Sequence, residues 1–175
     1  MPIPLVVPDA SVLLKWVLPP DDEPDADKAL LLRTAIVDDA VRALLPALWL
    51  YEVGNTIARR FPTHALDWPS ALMKFGLEEA PASHPWLAKT GELTRRFDVS
   101  FYDAAYHAVA LLHNGLFVAA DTRYVNQVSE PGSVMALSRR PLDHRVLVGR
   151  KRHCEKRGCV RVFRMAGIAH ARRSR

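Results

Sequence analysis

The sequence predicts an α/β fold with a central, mostly parallel sheet, and three observations support this prediction. Short apolar runs rich in β-branched residues alternate along the chain with stretches of helical periodicity. Strands that alternate with helices imply a parallel sheet covered by helices on both faces. The 175 residues, 49% hydrophobic and 25% charged, suffice for one core and are typical of a soluble globular protein.

Four strands are predicted, and each is a short apolar run. They are IPLVVP (3–8), RALLP (42–46), LFVAA (116–120) and SVMAL (133–137). Since the longest apolar runs are far too short to cross a bilayer, no membrane span is expected. The N-terminal residues carry no basic region followed by a small-residue cleavage site, so no secretory signal is expected.

Helices fill the stretches between these strands. They are predicted over 9–18, 25–40, 47–60, 84–98, 101–114 and 121–128, with a further short helix in 61–76 that is broken by Pro69 or begins there. Trp49, Val53 and Ile57 form one apolar stripe in the third of them. Asn114 and Gly115 form a helix stop.

Charge divides the chain into two parts. Residues 139–175 hold 13 of the 24 Lys and Arg but only 2 of the 19 acids, which gives +11 there and −6 for residues 1–138. We therefore predict a domain over 1–138 and a basic C-terminal extension over 139–175, which is either flexible or forms a small hairpin over 153–165 that turns at 156–158. Such a segment favours nucleic acid or another polyanion as a partner, although composition alone does not distinguish this from an incidental solvated tail.

The cysteines do not indicate a disulfide framework or a zinc site. Only Cys154 and Cys159 occur, beside His153, and one Cys-x4-Cys pair falls short of four paired ligands. A reducing cytoplasm is the expected compartment.

Acidic residues recur where strands end and helices begin. Asp9 follows the first strand, Asp121 follows LFVAA, and Asp103 lies in the first turn of a helix. In an open α/β sheet, ligands bind outside the carboxyl ends of the strands, so these carboxylates are expected at that crevice. Glu52 lies inside a helix, with Asn55 three residues further on the same face.

Each acid, taken alone, is better explained as a helix cap than as a ligand. Asp9 and Asp121 stand at N-cap positions, and Ser100 to Asp103 fits a capping box with Asp in place of Glu. Four acids gathered in one crevice would repel one another unless a cation neutralised them or some were protonated. Oxygen ligands of this kind suit Mg²⁺ or Mn²⁺. Such ions hydrolyse phosphodiester bonds when carboxylates hold them and orient the attacking water.

Four motifs carry a resemblance to a known family. VVPDASVLLKW, LWLYEVGN, SFYDAAYHAVA and LFVAADTRY occur in the order and spacing of PIN-domain proteins, and the chain most resembles the VapC-type toxins of bacterial and archaeal toxin–antitoxin pairs over residues 3–137. The resemblance implies a three-layer α/β/α PIN-like fold and a Mg²⁺- or Mn²⁺-dependent endoribonuclease. It also implies a homodimer and a cognate antitoxin that holds the enzyme inactive. The RNA substrate, with tRNA as one candidate, is not specified.

The resemblance assigns the catalytic and metal-binding roles to Asp9, Glu52, Asp103 and Asp121. Ser11 is expected as an auxiliary polar group beside Asp9, and we add Asn55 on the face of Glu52. Many members carry Thr or Ser two residues before the last acid, where this chain has Ala119. Thr122 is the candidate substitute.

Two rival functions follow from the same residues. A catalytically silent PIN-like module that binds RNA or a protein is favoured by the missing hydroxyl at position 119. A receiver-type phospho-acceptor domain also has an Asp after a strand. It requires an acid pair before the first helix, where this chain has Pro8 before Asp9, and a Lys after a late strand, where this chain has Ala119-Ala120.

Three further side chains lie near the expected crevice. His107 follows Asp103 by one helical turn, and we interpret it as a structural histidine with satisfied hydrogen bonds. Lys15 and Arg123 are placed to meet phosphate, with a solvated surface role as the alternative.

Overall fold

A computed structural model describes residues 3–128 and 133–139. It contains five strands: β1 (Leu5–Pro8), β2 (Arg42–Pro46), β3 (Glu78–Ala80), β4 (Leu116–Ala119) and β5 (Val134–Ala136). Its α-helices are α1 (Ala10–Leu14), α2 (Ala26–Val37), α3 (Trp49–Arg60), α4 (Asp67–Met73), α5 (His84–Phe97), α6 (Phe101–Leu112) and α7 (Thr122–Gln127). Two 3₁₀ turns span Pro20–Asp22 and Pro62–His64.

All five strands form one parallel sheet in the order β3-β2-β1-β4-β5. The predicted α/β class and parallel sheet are therefore confirmed. Strand order reverses at β1, which pairs with β2 on one side and β4 on the other. This arrangement creates a crevice beyond the carboxyl ends of β1 and β4.

The core lies between the central strands and the helices that cover them. Val7, Leu45 and Phe117 of the three central strands are fully buried, as are Val53 and Ile57 of the predicted stripe on α3. Strands buried on both faces are apolar throughout, which explains why three of the predicted runs contain almost no polar residue.

Two features differ from the predicted element pattern. Strand β3 (Glu78–Ala80) was not predicted, because its exposed glutamates lack the apolar signature of the other strands. Helix α4 neither breaks nor begins at Pro69. It begins at Asp67 and places Pro69 at its third residue, where the first-turn N–H has no partner within the helix and proline costs nothing.

The basic extension over 139–175 lies outside the described residues apart from Arg139, as do the hairpin predicted over 153–165 and the two cysteines. No helix in the described part of the chain is both long and apolar enough to span a membrane.

Candidate active site

The crevice edge carries Asp9 and Asp121, each directly beyond a strand. Pro8 of β1 pairs with Val118 of β4, and the backbone N–H of Asp9 donates to the Val118 carbonyl at 2.9 Å. Asp9 is therefore held beside the carboxyl end of β4, where Asp121 follows two residues after the last strand residue.

The Asp9 carboxylate is fixed by Ser11. Its Oδ2 accepts a hydrogen bond from the Ser11 backbone N–H at 2.9 Å and another from the Ser11 hydroxyl. The same hydroxyl accepts from the Ala120 backbone N–H at 3.1 Å. Ser11 thus connects the end of β1 to the end of β4, and Asp9 is the N-cap of α1.

Glu52 lies in the first turn of α3, half-buried, and accepts a 2.6 Å hydrogen bond from the Tyr106 hydroxyl. Tyr106 belongs to α6 and is completely buried. Burial raises the pKa of Glu52 to about 7, and the negative charges of Asp9 and Asp103 contribute to the rise, while the hydrogen bond from Tyr106 opposes it.

Asp103 lies in the first turn of α6, where it forms the predicted cap with Ser100. The Ser100 hydroxyl accepts from the Asp103 backbone N–H at 3.1 Å and lies 2.6 Å from Asp103 Oδ2. Burial raises the pKa of Asp9, with a smaller contribution from the Asp103 charge. Burial also raises the pKa of Tyr106, and the charges of Glu52, Asp9 and Asp103 add to it.

Asp9, Glu52 and Asp103 therefore form one electrostatically coupled group, which we call the carboxylate triad. They come from three different elements, and each carboxylate receives a hydroxyl: from Ser11, Tyr106 and Ser100 respectively. Those hydroxyls fix where the carboxylates lie while the acids still repel one another.

Asp121 stands apart from the triad in its contacts. It is exposed, caps α7 through a 2.8 Å hydrogen bond from the Arg123 backbone N–H, and lies 3.5 Å from the Arg123 guanidinium. The auxiliary candidates Asn55 and Thr122 are also exposed. Ala119 is buried in the core, so a methyl group occupies the position at which the resemblance leads us to expect a hydroxyl.

The side chains of the triad do not form a closed metal cage. Within residues 3–128 and 133–139, no three His, Cys, Asp or Glu side chains are grouped closely enough to hold a metal ion as they stand. The donor set itself fits a hard cation, because three carboxylates are the oxygen ligands that Mg²⁺ and Mn²⁺ prefer. Repulsion among them would be relieved by such an ion.

The other candidate side chains serve the fold. His107 is buried, with Nδ1 at 2.9 Å from the Tyr124 hydroxyl and Nε2 at 3.0 Å from the Ser133 hydroxyl, as its structural interpretation predicted. Lys15 is not a solvated or phosphate-facing cation. It is buried and forms a 2.7 Å ion pair with Glu23.

Tyr106 is the site residue that sequence reasoning missed. It follows Asp103 by three residues, so the helical spacing that places both on one face of α6 was available as a signal. An aromatic ring favours the core, and the ring of Tyr106 is buried there, whereas its hydroxyl donates to Glu52.

Comparison with known proteins agrees with this architecture. The family model described as PIN domain matches residues 6–130. Comparison with curated proteins gives no match.

Several solved structures share the fold at low sequence identity. A protein in a toxin–antitoxin complex from Klebsiella pneumoniae is 15% identical with a TM-score of 0.54, over 75% of this chain and 97% of that one. A chain of VapBC2 from Rickettsia felis, bound to a DNA fragment from their promoter, is 10% identical with a TM-score of 0.57, over 75% and 96%. VapC20 of Mycobacterium tuberculosis, a Sarcin-Ricin loop cleaving toxin, is 15% identical with a TM-score of 0.55, over 69% and 93%.

These likenesses show a common fold, and the family match covers most of the described chain. Together with the three-layer architecture and the acids at its crevice, they place the fold with that of the VapC toxins. The chain belongs to the PIN domain family.

Proposed function

We propose that the chain is a metal-dependent endoribonuclease of the VapC type, the toxin of a toxin–antitoxin pair, which hydrolyses RNA phosphodiester bonds with Mg²⁺ or Mn²⁺. The observation that carries this proposal is the carboxylate triad, in which burial and mutual repulsion raise the pKa values of Glu52 and Asp9. Strongly perturbed carboxylates at the crevice of an α/β sheet are the signature of a functional site rather than of surface acids.

In this proposal Asp9, Glu52 and Asp103 hold the catalytic cation, and Asp121 assists from the rim of the crevice. When bound, the ion lowers the pKa of water and neutralises charge on the phosphate, so no nucleophilic side chain is needed. The protein's task is orientation: Ser11 fixes Asp9, Tyr106 fixes Glu52 and Ser100 fixes Asp103. Asn55 and Thr122, both exposed, are assigned to contacts with substrate at the rim.

A cognate antitoxin and a second copy of the chain are the proposed protein partners, in the cytoplasm. Structural neighbours include toxin–antitoxin complexes. Large apolar side chains are exposed at positions that precede these acids in sequence: Tyr51 before Glu52, and Phe101 and Tyr102 before Asp103. Exposed large apolar side chains, where they form a contiguous patch, mark surfaces that proteins cover.

The proposal is tested by incubating the protein with a pool of tRNA and structured RNA in Mg²⁺, Mn²⁺ or EDTA. Asp9→Asn should abolish the metal-dependent cuts, because it removes a ligand charge while keeping a side chain able to cap α1. Asp67→Asn, an exposed acid in the first turn of α4, is the matched control and should cut normally. Equal cutting by Asp9→Asn and native protein would refute the assignment.

A catalytically silent PIN-like module is the second candidate. Its supporting observation is the buried methyl of Ala119, together with the ion pair that engages Asp121 with Arg123. Intact RNA in every metal, from folded protein free of any antitoxin, would favour this candidate.

A further inference from the structure

A cavity opens beyond the carboxyl ends of β2 and β3, and its volume is about 220 Å³. Since β2 is parallel to β1 and pairs with it, the cavity lies at the same end of the sheet as the crevice. The residues that line it include the last residues of both strands and the starts of two helices, namely Pro46 of β2, Ala80 of β3, Leu48 and Tyr51 of α3, and Trp86 of α5.

Backbone hydrogen bonds connect this cavity to the carboxylate triad. The Leu48 carbonyl accepts from the Glu52 N–H at 3.2 Å, so one wall of the cavity belongs to the helical turn that carries this acid. The Trp86 indole N–H donates to the Ala105 carbonyl at 3.1 Å, and Ala105 follows Asp103 by two residues in α6. A polymer that is bound at the triad therefore has the cavity beside it.

The walls of the cavity favour a flat ring system as the ligand. Tyr51 and Trp86 supply two aromatic rings, and the other lining side chains are those of proline, alanine and leucine. Tyr51 is 80% exposed, so its ring is open to a stacking partner. Trp86 is held by its hydrogen bond to Ala105 and by an edge-to-face contact with Phe101, with 5.9 Å between the ring centroids. A ring that is already fixed loses little freedom when a ligand stacks on it, which favours binding.

Size and polarity narrow the class of ligand further. Sites for drug-sized molecules measure about 300–1,000 Å³, so this smaller cavity suits one ring system and not a whole nucleotide. Among the lining side chains, polar atoms occur in Tyr51 and Trp86, and the indole N–H of Trp86 is already bonded to Ala105. Such walls can stack on a base but cannot read its identity, because base identity is read by hydrogen bonds to the base edges.

We propose that this cavity is a nucleobase subsite, which takes one base of an RNA strand next to the phosphate at the carboxylate triad and stacks it on Tyr51 and Trp86. The inference rests on the proposed ribonuclease function for the class of polymer. Every nucleotide of such a strand carries a ring beside its phosphate, so a substrate at the triad presents the group that fits the cavity. The subsite accepts any base and favours purines, because their larger rings stack more strongly.

The test measures RNA binding by the full-length chain in EDTA, using fluorescence anisotropy at about 0.1 M salt. Two labelled probes have the same length and charge: an octaadenylate, and an octamer whose nucleotides all lack their bases. Tyr51→Ala removes one stacking ring, and Ala82→Leu, at an exposed residue that lines the cavity, fills it. The matched controls are Tyr102→Ala and Ala88→Leu, which make the same changes at exposed residues that do not line the cavity.

Native protein should bind octaadenylate about tenfold more tightly than the base-free octamer, because stacking of one base on aromatic side chains contributes affinity of that order. This preference should fall to about twofold in Tyr51→Ala and Ala82→Leu and should stay at about tenfold in the two controls. Since the preference compares probes of equal charge, any change in the attraction to phosphate cancels. Thermal unfolding verifies that each variant is folded.

A preference for octaadenylate that survives in both cavity variants would overturn the subsite, as would a native protein that binds neither probe. A changed oligomeric state of Ala82→Leu in analytical ultracentrifugation, with the preference intact, would assign the cavity to a second copy of the chain instead. Because the assay needs no catalysis, metal-dependent cleavage that is lost in Asp9→Asn would leave the ribonuclease function standing even if the subsite failed. A preference without any cleavage would keep the subsite and remove the nuclease.

Discussion

At the scale of single residues, capping a helix and serving a site are compatible roles. Asp9 and Asp121 cap their helices through their carboxylates, and Ser100 caps the helix of Asp103, as the sequence positions predict. Asp9 and Asp103 nevertheless raise the pKa of Glu52 through their charges. A cap fixes a carboxylate at a helix N-terminus, and in this fold several helix N-termini face the crevice, so the cap also positions the acid for a ligand.

Residue types and positions of the acids were readable from the sequence, whereas their unequal environments were not. The sequence does not show that Glu52 is half-buried and bonded to a tyrosine hydroxyl, or that Asp121 is exposed beside Arg123. That difference depends on which helices pack over which strand ends. The ion pair of Lys15 and Glu23 could not be predicted either, because it also depends on how the elements pack.

Tyr106→Phe tests the contact that holds Glu52. The hydrogen bond from Tyr106 lowers the pKa of Glu52, so its loss should raise that pKa further. A hydrogen bond to a charged group contributes about 1.5–3 kcal/mol, which corresponds to about one pH unit or more. The low-pH limb of the cleavage profile should move upward by about one unit, with activity recovered at alkaline pH.

The matched control for this change is Tyr102→Phe, on the same helix but exposed. It removes a solvent-exposed hydroxyl and should leave the pH profile unchanged. An unshifted profile in Tyr106→Phe, or equal shifts in both variants, would show that the hydroxyl does not act on Glu52.

At the scale of elements, hydrophobic periodicity predicted the apolar strands and most helices but not the edge of the sheet. Strands β1, β2 and β4 are buried and apolar, so they stand out from their surroundings. Strand β3 has two exposed glutamates, and one of them pairs with Arg42 of β2. An edge strand stabilised by backbone pairing and a surface ion pair leaves no hydrophobic pattern to detect.

Ser11→Ala tests how the ends of β1 and β4 are joined. The variant removes the hydroxyl that donates to Asp9 and accepts from the Ala120 N–H. Loss of partners for partly buried polar groups should lower the free energy of unfolding by about 1–3 kcal/mol. Cleavage should fall as well, because the Asp9 carboxylate loses its support.

Ser83→Ala is the control at this scale. Ser83 caps α5 by accepting from the Trp86 N–H at 3.3 Å, and it supports none of the triad carboxylates. It should cost about 0.5–2 kcal/mol in denaturant unfolding and leave the rate of cleavage intact. A similar loss of cleavage in both variants would assign the effect of Ser11→Ala to general destabilisation.

At the scale of the whole molecule, the carboxylate triad makes stability depend on pH. The pKa of Glu52 rises from 4.5 to about 7 on folding, so between those values the folded state binds more protons than the unfolded state. Stability from this group therefore falls as pH rises through that window. Asp9 acts in the same direction, because its pKa is also raised.

Thermal unfolding in EDTA should therefore show a melting temperature that decreases between about pH 5 and pH 8. Glu52→Gln should flatten this decrease. Glu92→Gln should leave the decrease unchanged. Lys89 lowers the pKa of Glu92, so Glu92 affects stability only at pH values below that window. Added Mn²⁺ should raise the melting temperature of the native protein most at the alkaline end, where Glu52 is ionised. A melting temperature that rises with pH, equally in all three proteins, would contradict the linkage.

The most direct test of the central claim, that Asp9, Glu52 and Asp103 act as one cation site, is calorimetric titration of the full-length protein with Mn²⁺ at about pH 8, where Glu52 is mostly ionised. Native protein and Asp67→Asn should give the same isotherm. Asp9→Asn and Asp103→Asn should each weaken binding by at least about tenfold, because each removes a carboxylate ligand. Isotherms that coincide for all four proteins would show that the triad does not bind the metal.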